Sequence, residues 1–209
     1  MITLTMDIFH PQPTRQLPVN YTLRRHFNAK DPRTSLAMNA NGLAALFLFG
    51  WLFFIAAVWL RPEAAPDLMN LHFSGSALLV RIIGLLVLVM VMIYLHEGIH
   101  GACFWLATHA RPKFGFRTLY AYAAAPEWYI PRDSYLWIGL APFLLISILG
   151  ILLIAVVPAG AIAPILVLTV MNASGSVGDL WVVFLLLRQP ANALANDTGD
   201  EVKIYAPQS

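Results

Sequence analysis

Two histidines and a glutamate meet within five residues, in the stretch His96-Glu97-Gly98-Ile99-His100, directly after the uncharged run Ile82 to Leu95. On a helix, His96 and His100 lie one turn apart and about 40° apart in rotation, so both rings can reach one ion. Glu97 projects roughly 100° away, where it can hold a water on that ion instead of ligating it. Those are the parts of metal-assisted hydrolysis. The plain alternative is a pair of histidines hydrogen-bonded to a polar seam on a neighbouring helix. The apolar setting weighs against it, because ionisable groups at membrane depth are costly and by default mark a functional site.

A carboxylate to complete the set is found far along the chain. Asn172-Ala173-Ser174-Gly175-Ser176-Val177-Gly178-Asp179 is a small and polar segment inside apolar sequence. Asp179 precedes Arg188 by nine residues, and the histidines precede Thr108 by twelve and eight. If the two segments run in the same direction through a membrane, the carboxylate meets the imidazoles at one depth. Two imidazoles, a carboxylate and an open position with water make a catalytic zinc site. A helix-packing contact with a Ser or Tyr is the alternative for Asp179. Asn172 lies seven residues before Asp179, hence on the same face, where it can orient a substrate carbonyl. Cys103 shares the histidine face and reads as a small filler ahead of a ligand. Gly98 with Ala102, and Ser174 with Gly178, are small residues four apart, which lets helices approach closely.

The elements that must position these residues are apolar. Of 209 residues 59% are hydrophobic and 11% charged, and the mean hydropathy is +0.68. That composition indicates a polytopic membrane protein. The expected fold is an all-α bundle of four transmembrane helices, with spans near 43–60, 76–108, 135–157 and 162–187. Residues 1–42 form a basic N-terminal arm with no apolar opening segment, so no cleavable signal peptide is expected. Residues 43–188 form the membrane domain, and 189–209 a polar, loose tail. Between the second and third spans, Phe114, Phe116, Thr118, Tyr120 and Tyr122 recur at a strand period of two. Trp128-Tyr129-Ile130 can supply a second strand, making a membrane-associated β-hairpin; an irregular interfacial loop is the alternative. Eleven Lys and Arg fall in the arm, the 110–134 loop and the tail together with Arg188 at its start, against one in the 61–75 loop. The bias puts both termini in the cytoplasm. One cysteine excludes an intramolecular disulfide and a Cys-rich metal site.

HEGIH followed by NxSGSxGD in a later span resembles the site-2 protease group of intramembrane metalloproteases. More narrowly, it is similar to a small bacterial family described as "putative zincin peptidase". The resemblance covers about residues 80–188 and implies zinc held by His96, His100 and Asp179. It further implies Glu97 as general base and Asn172 as a substrate-binding residue. It also implies that the 110–134 segment, with Phe116, Thr118 and Tyr120, presents substrate as an added strand. Asp179 is followed by Leu180, where many site-2 proteases have Gly; Asn172 lacks their following Pro, and no PDZ domain is inserted. The expected activity is zinc-dependent hydrolysis of a peptide bond in a membrane protein or peptide, in a bacterial cytoplasmic membrane. Lipid is then a partner and nucleic acid is not. A non-catalytic structural or sensing metal site is the alternative, and the presence of Glu97 argues against it. A haem protein is a third reading, but two histidines on one helix cannot clamp a haem from both faces.

Overall fold

The computed structural model describes residues 12–69, 75–116 and 121–208. The longest elements are the helices α1 (Pro32–Leu60), α3 (Gly75–Thr108) and α4 (Arg132–Val156), with a short α2 (Ala65–Met69) between the first two. α1 begins well before the apolar run, because Asp31 caps it: its carboxylate accepts from the Thr34 N–H at 2.9 Å, and Pro32 suits the first helical position. The stretches Pro32–Leu60, Leu78–Thr108 and Arg132–Val156 are each long and apolar enough to cross a membrane.

The expected fourth span is instead two helices, α5 (Ala159–Gly175) and α6 (Val177–Leu187), bent by 42° at a break. Counted as one span they bring the total to four. The break has a local cause. Ser174-Gly175-Ser176 is a Gly/Ser stretch of the kind that kinks helices. The Ser176 N–H donates to the Asn172 carbonyl at 3.0 Å, and its hydroxyl donates to the same oxygen at 2.9 Å. One carbonyl thus takes both donors of the residue that ends α5.

Contacts divide the chain into two units, the boundaries falling inside α1, α3, α4 and α6. The first comprises 1–35, 100–140 and 179–209. It corrects the all-α expectation, because it holds a four-stranded antiparallel sheet in the order β1-β6-β5-β4. The strands are β1 (Tyr21–Asn28), β4 (Ile130–Pro131), β5 (Leu194–Asp197) and β6 (Glu201–Pro207). The tail is therefore not loose. Along β6, Val202, Ile204 and Ala206 are buried and alternate with half-exposed neighbours, as a strand with one covered face requires. Phe27 of β1 packs against Trp181, and Phe104 of α3 meets the Tyr135 ring edge-on.

A hairpin does follow α3, but its strands are β2 (Lys113–Phe116) and β3 (Ala121–Ala124). Ile130, expected in its second strand, pairs with Ala195 of β5 instead.

The second unit comprises 36–99 and 141–178 and is helical. Its cores are Ala57, Ala64, Ile154 and Ile162 in one cluster, and Phe53, Val170 and Ala173 in another. Arg61 donates from Nη1 to the carbonyls of Ile154 and Val157 at 3.1 and 2.7 Å, closing the C-terminus of α4. Gly150 admits Thr169, whose Oγ1 would lie 2.1 Å from an added Cβ. Among the described residues nothing lies within 4 Å of a Cβ added to Gly98, so the expected close approach is not seen there. Large apolar side chains such as Leu79, Val80 and Leu86 are exposed on α3, a surface suited to an apolar surrounding.

Candidate metal centre

α3 runs unbroken through HEGIH, so the helical spacing of the two imidazoles is realised. Each ring is held from behind. The His96 Nδ1–H donates to Asn172 Oδ1 at 2.9 Å, and the His100 Nδ1–H donates to the Ile138 carbonyl at 2.9 Å. The Asn172 amide is oriented by its other end, where Nδ2 donates to the Pro142 carbonyl at 3.3 Å. Both acceptors are oxygens, so the ring proton sits on Nδ1 and Nε2 carries the lone pair that a metal needs. An outer partner that fixes tautomer and ring orientation is the usual support of a metal-ligating histidine.

Asp179 enters from the first turn of α6, just after the break. Its Oδ1 lies 3.5 Å from His100 Nε2. Donors at 2.0–2.2 Å from a tetrahedral zinc are separated by about 3.3–3.6 Å, so this pair already has the spacing of two ligands. His96, His100 and Asp179 each offer one ligand atom, and the three atoms lie within 4.8 Å of one another. His100 is buried, and the other two are half-buried. Two neutral imidazoles and one carboxylate are the donor set of a catalytic zinc site with one position left open. Glu97 is half-buried on α3 next to His96. Cys103 is half-buried and is not part of the group.

The hairpin lies close to His100. An added Cβ on Gly101 would meet Phe114 Cζ at 2.3 Å, so the Phe114 ring rests on the backbone of the residue following the histidine. Tyr122 is set between two other glycines. Its ring would be 2.3 Å from a Cβ on Gly115, the cross-strand partner, and 2.2 Å from one on Gly199 in the β5–β6 turn. Gly199 also has φ of 90°, which other residues rarely adopt. Its N–H donates to Asp197 Oδ1 at 2.7 Å, while Asp197 Oδ2 accepts from the Tyr135 hydroxyl. Burial raises the Asp197 carboxyl from 3.8 to about 6, against the lowering effect of those two hydrogen bonds. Tyr135 lies one turn before Ile138 on α4, so the tail supports the helix that holds His100.

Of the residues singled out in the sequence, His96, His100 and Asp179 are gathered together and Asn172 stands directly behind His96. Asn172 is 1% exposed, with its amide engaged at both ends. Phe116 is in β2 and exposed. Thr118 and Tyr120 lie outside the described residues. Sequence reasoning missed Ile138, Tyr135 and Asp197.

The helices and the His-His-Asp group define an apolar, multi-helix chain with a metal-type donor set, compatible with a multi-pass membrane protein. Residues 89–194, just over half of the chain, match the family described as "putative zincin peptidase", and the chain belongs to that family. Membership implies zinc as the cofactor and indicates a metallopeptidase. The matched region takes in all three candidate ligands, Glu97, Asn172 and the hairpin. No curated protein and no solved structure matches the chain.

Proposed function

We propose that this chain is a zinc-dependent endopeptidase of the site-2 protease kind, cutting a peptide bond of a membrane protein or peptide at or within the bilayer. His96, His100 and Asp179 hold the zinc. The observation that carries the reading is their gathering within 4.8 Å, with each imidazole turned to present Nε2. When bound, zinc supplies Lewis acidity, which polarises a carbonyl and makes a water acidic near neutral pH. The chain's own groups do the rest. Glu97 takes a proton from the attacking water on its carboxylate and returns it to the leaving nitrogen. The edge of β2 not paired with β3 receives substrate as an added strand, which unwinds the helical carbonyls that hydrolysis must reach. Phe114 and Phe116, two apart on β2, line one face of that edge. Both termini are assigned to the cytoplasm, following the distribution of Lys and Arg.

The test is metal content. Purified protein is expected to hold about one zinc per chain, lost in His96→Ala and His100→Ala and reduced in Asp179→Ala. Zinc that survives loss of either histidine would sink the reading.

A further inference from the structure

In an α-helix the N–H of residue i donates to the carbonyl of residue i−4. Residue 142 of α4 is a proline inside the helix. It has no N–H, and its ring crowds the carbonyl four residues back, which is that of Ile138. That same carbonyl accepts the His100 Nδ1–H at 2.9 Å. Pro142's own carbonyl accepts Asn172 Nδ2 at 3.3 Å, and Asn172 Oδ1 accepts the His96 Nδ1–H at 2.9 Å. One residue of α4 therefore stands behind both imidazoles, through a bond it cannot make and one that it accepts. Pro142 is fully buried, as is Asn172.

We propose that Pro142 is a positioning residue of the metal centre: its missing N–H releases the Ile138 carbonyl to orient His100, and its carbonyl holds the amide that orients His96. The inference rests on the zinc reading above. A proline inside a helix is unfavourable for the helix itself. A purely structural account therefore expects its replacement to leave the metal alone and to strengthen α4. With a positioning role, stability and metal retention move in opposite directions. An alanine at 142 supplies an N–H that returns the Ile138 carbonyl to the helix and takes it from His100.

The experiment uses the full chain, zinc-loaded in detergent, and reads two quantities: zinc loss to a competing chelator and the thermal midpoint. Pro142→Ala is compared with Pro164→Ala, which removes the helix-interior proline of α5. Both variants are expected to melt no lower than wild type. Pro142→Ala alone should hold zinc about 10–100-fold more weakly, the usual cost of losing an outer partner of a ligand. Pro142→Val, which restores the N–H while keeping most of the ring's volume, is measured in the same way in case Pro142→Ala does not fold. Wild-type zinc retention in a folded Pro142 variant overturns the proposal. So does equal weakening in Pro164→Ala, which would mark a general effect of helix proline. His100→Ala run alongside separates the two levels. If that variant keeps its zinc, the metal reading has failed. If it loses zinc while Pro142→Ala and Pro142→Val do not, only the role of Pro142 has.

Discussion

The two sides of the centre hold their histidines by different means. His96 is held by a side chain, the Asn172 amide from the last turn of α5. His100 is held by the backbone, the Ile138 carbonyl of α4. The side-chain support is open to ordinary substitution. The backbone support is not, because every residue at 138 carries the same carbonyl; only its availability can change. A helix interior normally uses its carbonyls, so a backbone acceptor there needs a local interruption of the ladder. Pro142 provides one on the His100 side, and the Ser176 break lies between Asn172 and Asp179 on the other.

The largest effect should come from Glu97, which belongs to neither side. Glu97→Gln is expected to lower cleavage by about 10²–10⁴-fold, the usual contribution of a positioned base, with zinc content unchanged and uncut substrate co-purifying. Cleavage near the wild-type rate would exclude Glu97 as the base.

Next in size, Asn172→Ala should weaken zinc by about 10–100-fold by chelator competition, with His96 losing its orienting acceptor. Asn172→Asp keeps an acceptor for His96 and should recover part of that loss. If both variants bind zinc as wild type does, the side-chain support is dispensable and the two sides are not equivalent.

On the His100 side, Gly101→Ala sets a methyl against the Phe114 ring. Overpacking of this kind costs about 2 kcal/mol. Phe114→Ala should relieve most of it, as a double-mutant cycle on chemical denaturation would read. Additive effects would show that Phe114 does not rest on this residue.

The smallest effect tests whether that support extends into the tail. Burial holds the Asp197 carboxyl at about 6, above its ordinary 3.8. A carboxyl with a raised folded-state value binds its proton more tightly folded than unfolded. Its contribution is therefore most favourable below about pH 4 and is lost as pH rises through 6. Wild-type stability relative to Asp197→Asn should fall by on the order of 1–2 kcal/mol between pH 5 and 7. A flat difference would show that Asp197 titrates as it does in the unfolded chain.

Helical spacing is a local property, so the pairing of His96 with His100 and the offset of Glu97 are legible from five residues. Hydropathy is also local, and it marks the three long helices, although the helix ends depend on caps such as Asp31. That Asp179 could reach the level of the histidines follows from counting residues along two apolar runs. The sheet was out of reach for the opposite reason. β6 shows its alternation in Glu201-Val202-Lys203-Ile204-Tyr205-Ala206-Pro207, but a short polar strand acquires its meaning from its partners. Those are β1, nearly the whole chain away, and β5. The break at Ser176 was written in Ser174-Gly175-Ser176, yet small polar residues in an apolar run mark close helix packing as well as a kink. The tertiary structure alone decided what stands behind the two imidazoles. Pro142 announces in the sequence that the Ile138 carbonyl lacks its helical donor. Which group takes that carbonyl depends on what packs against α4, because backbone acceptors carry no residue-specific signature and are assigned only when two distant segments meet.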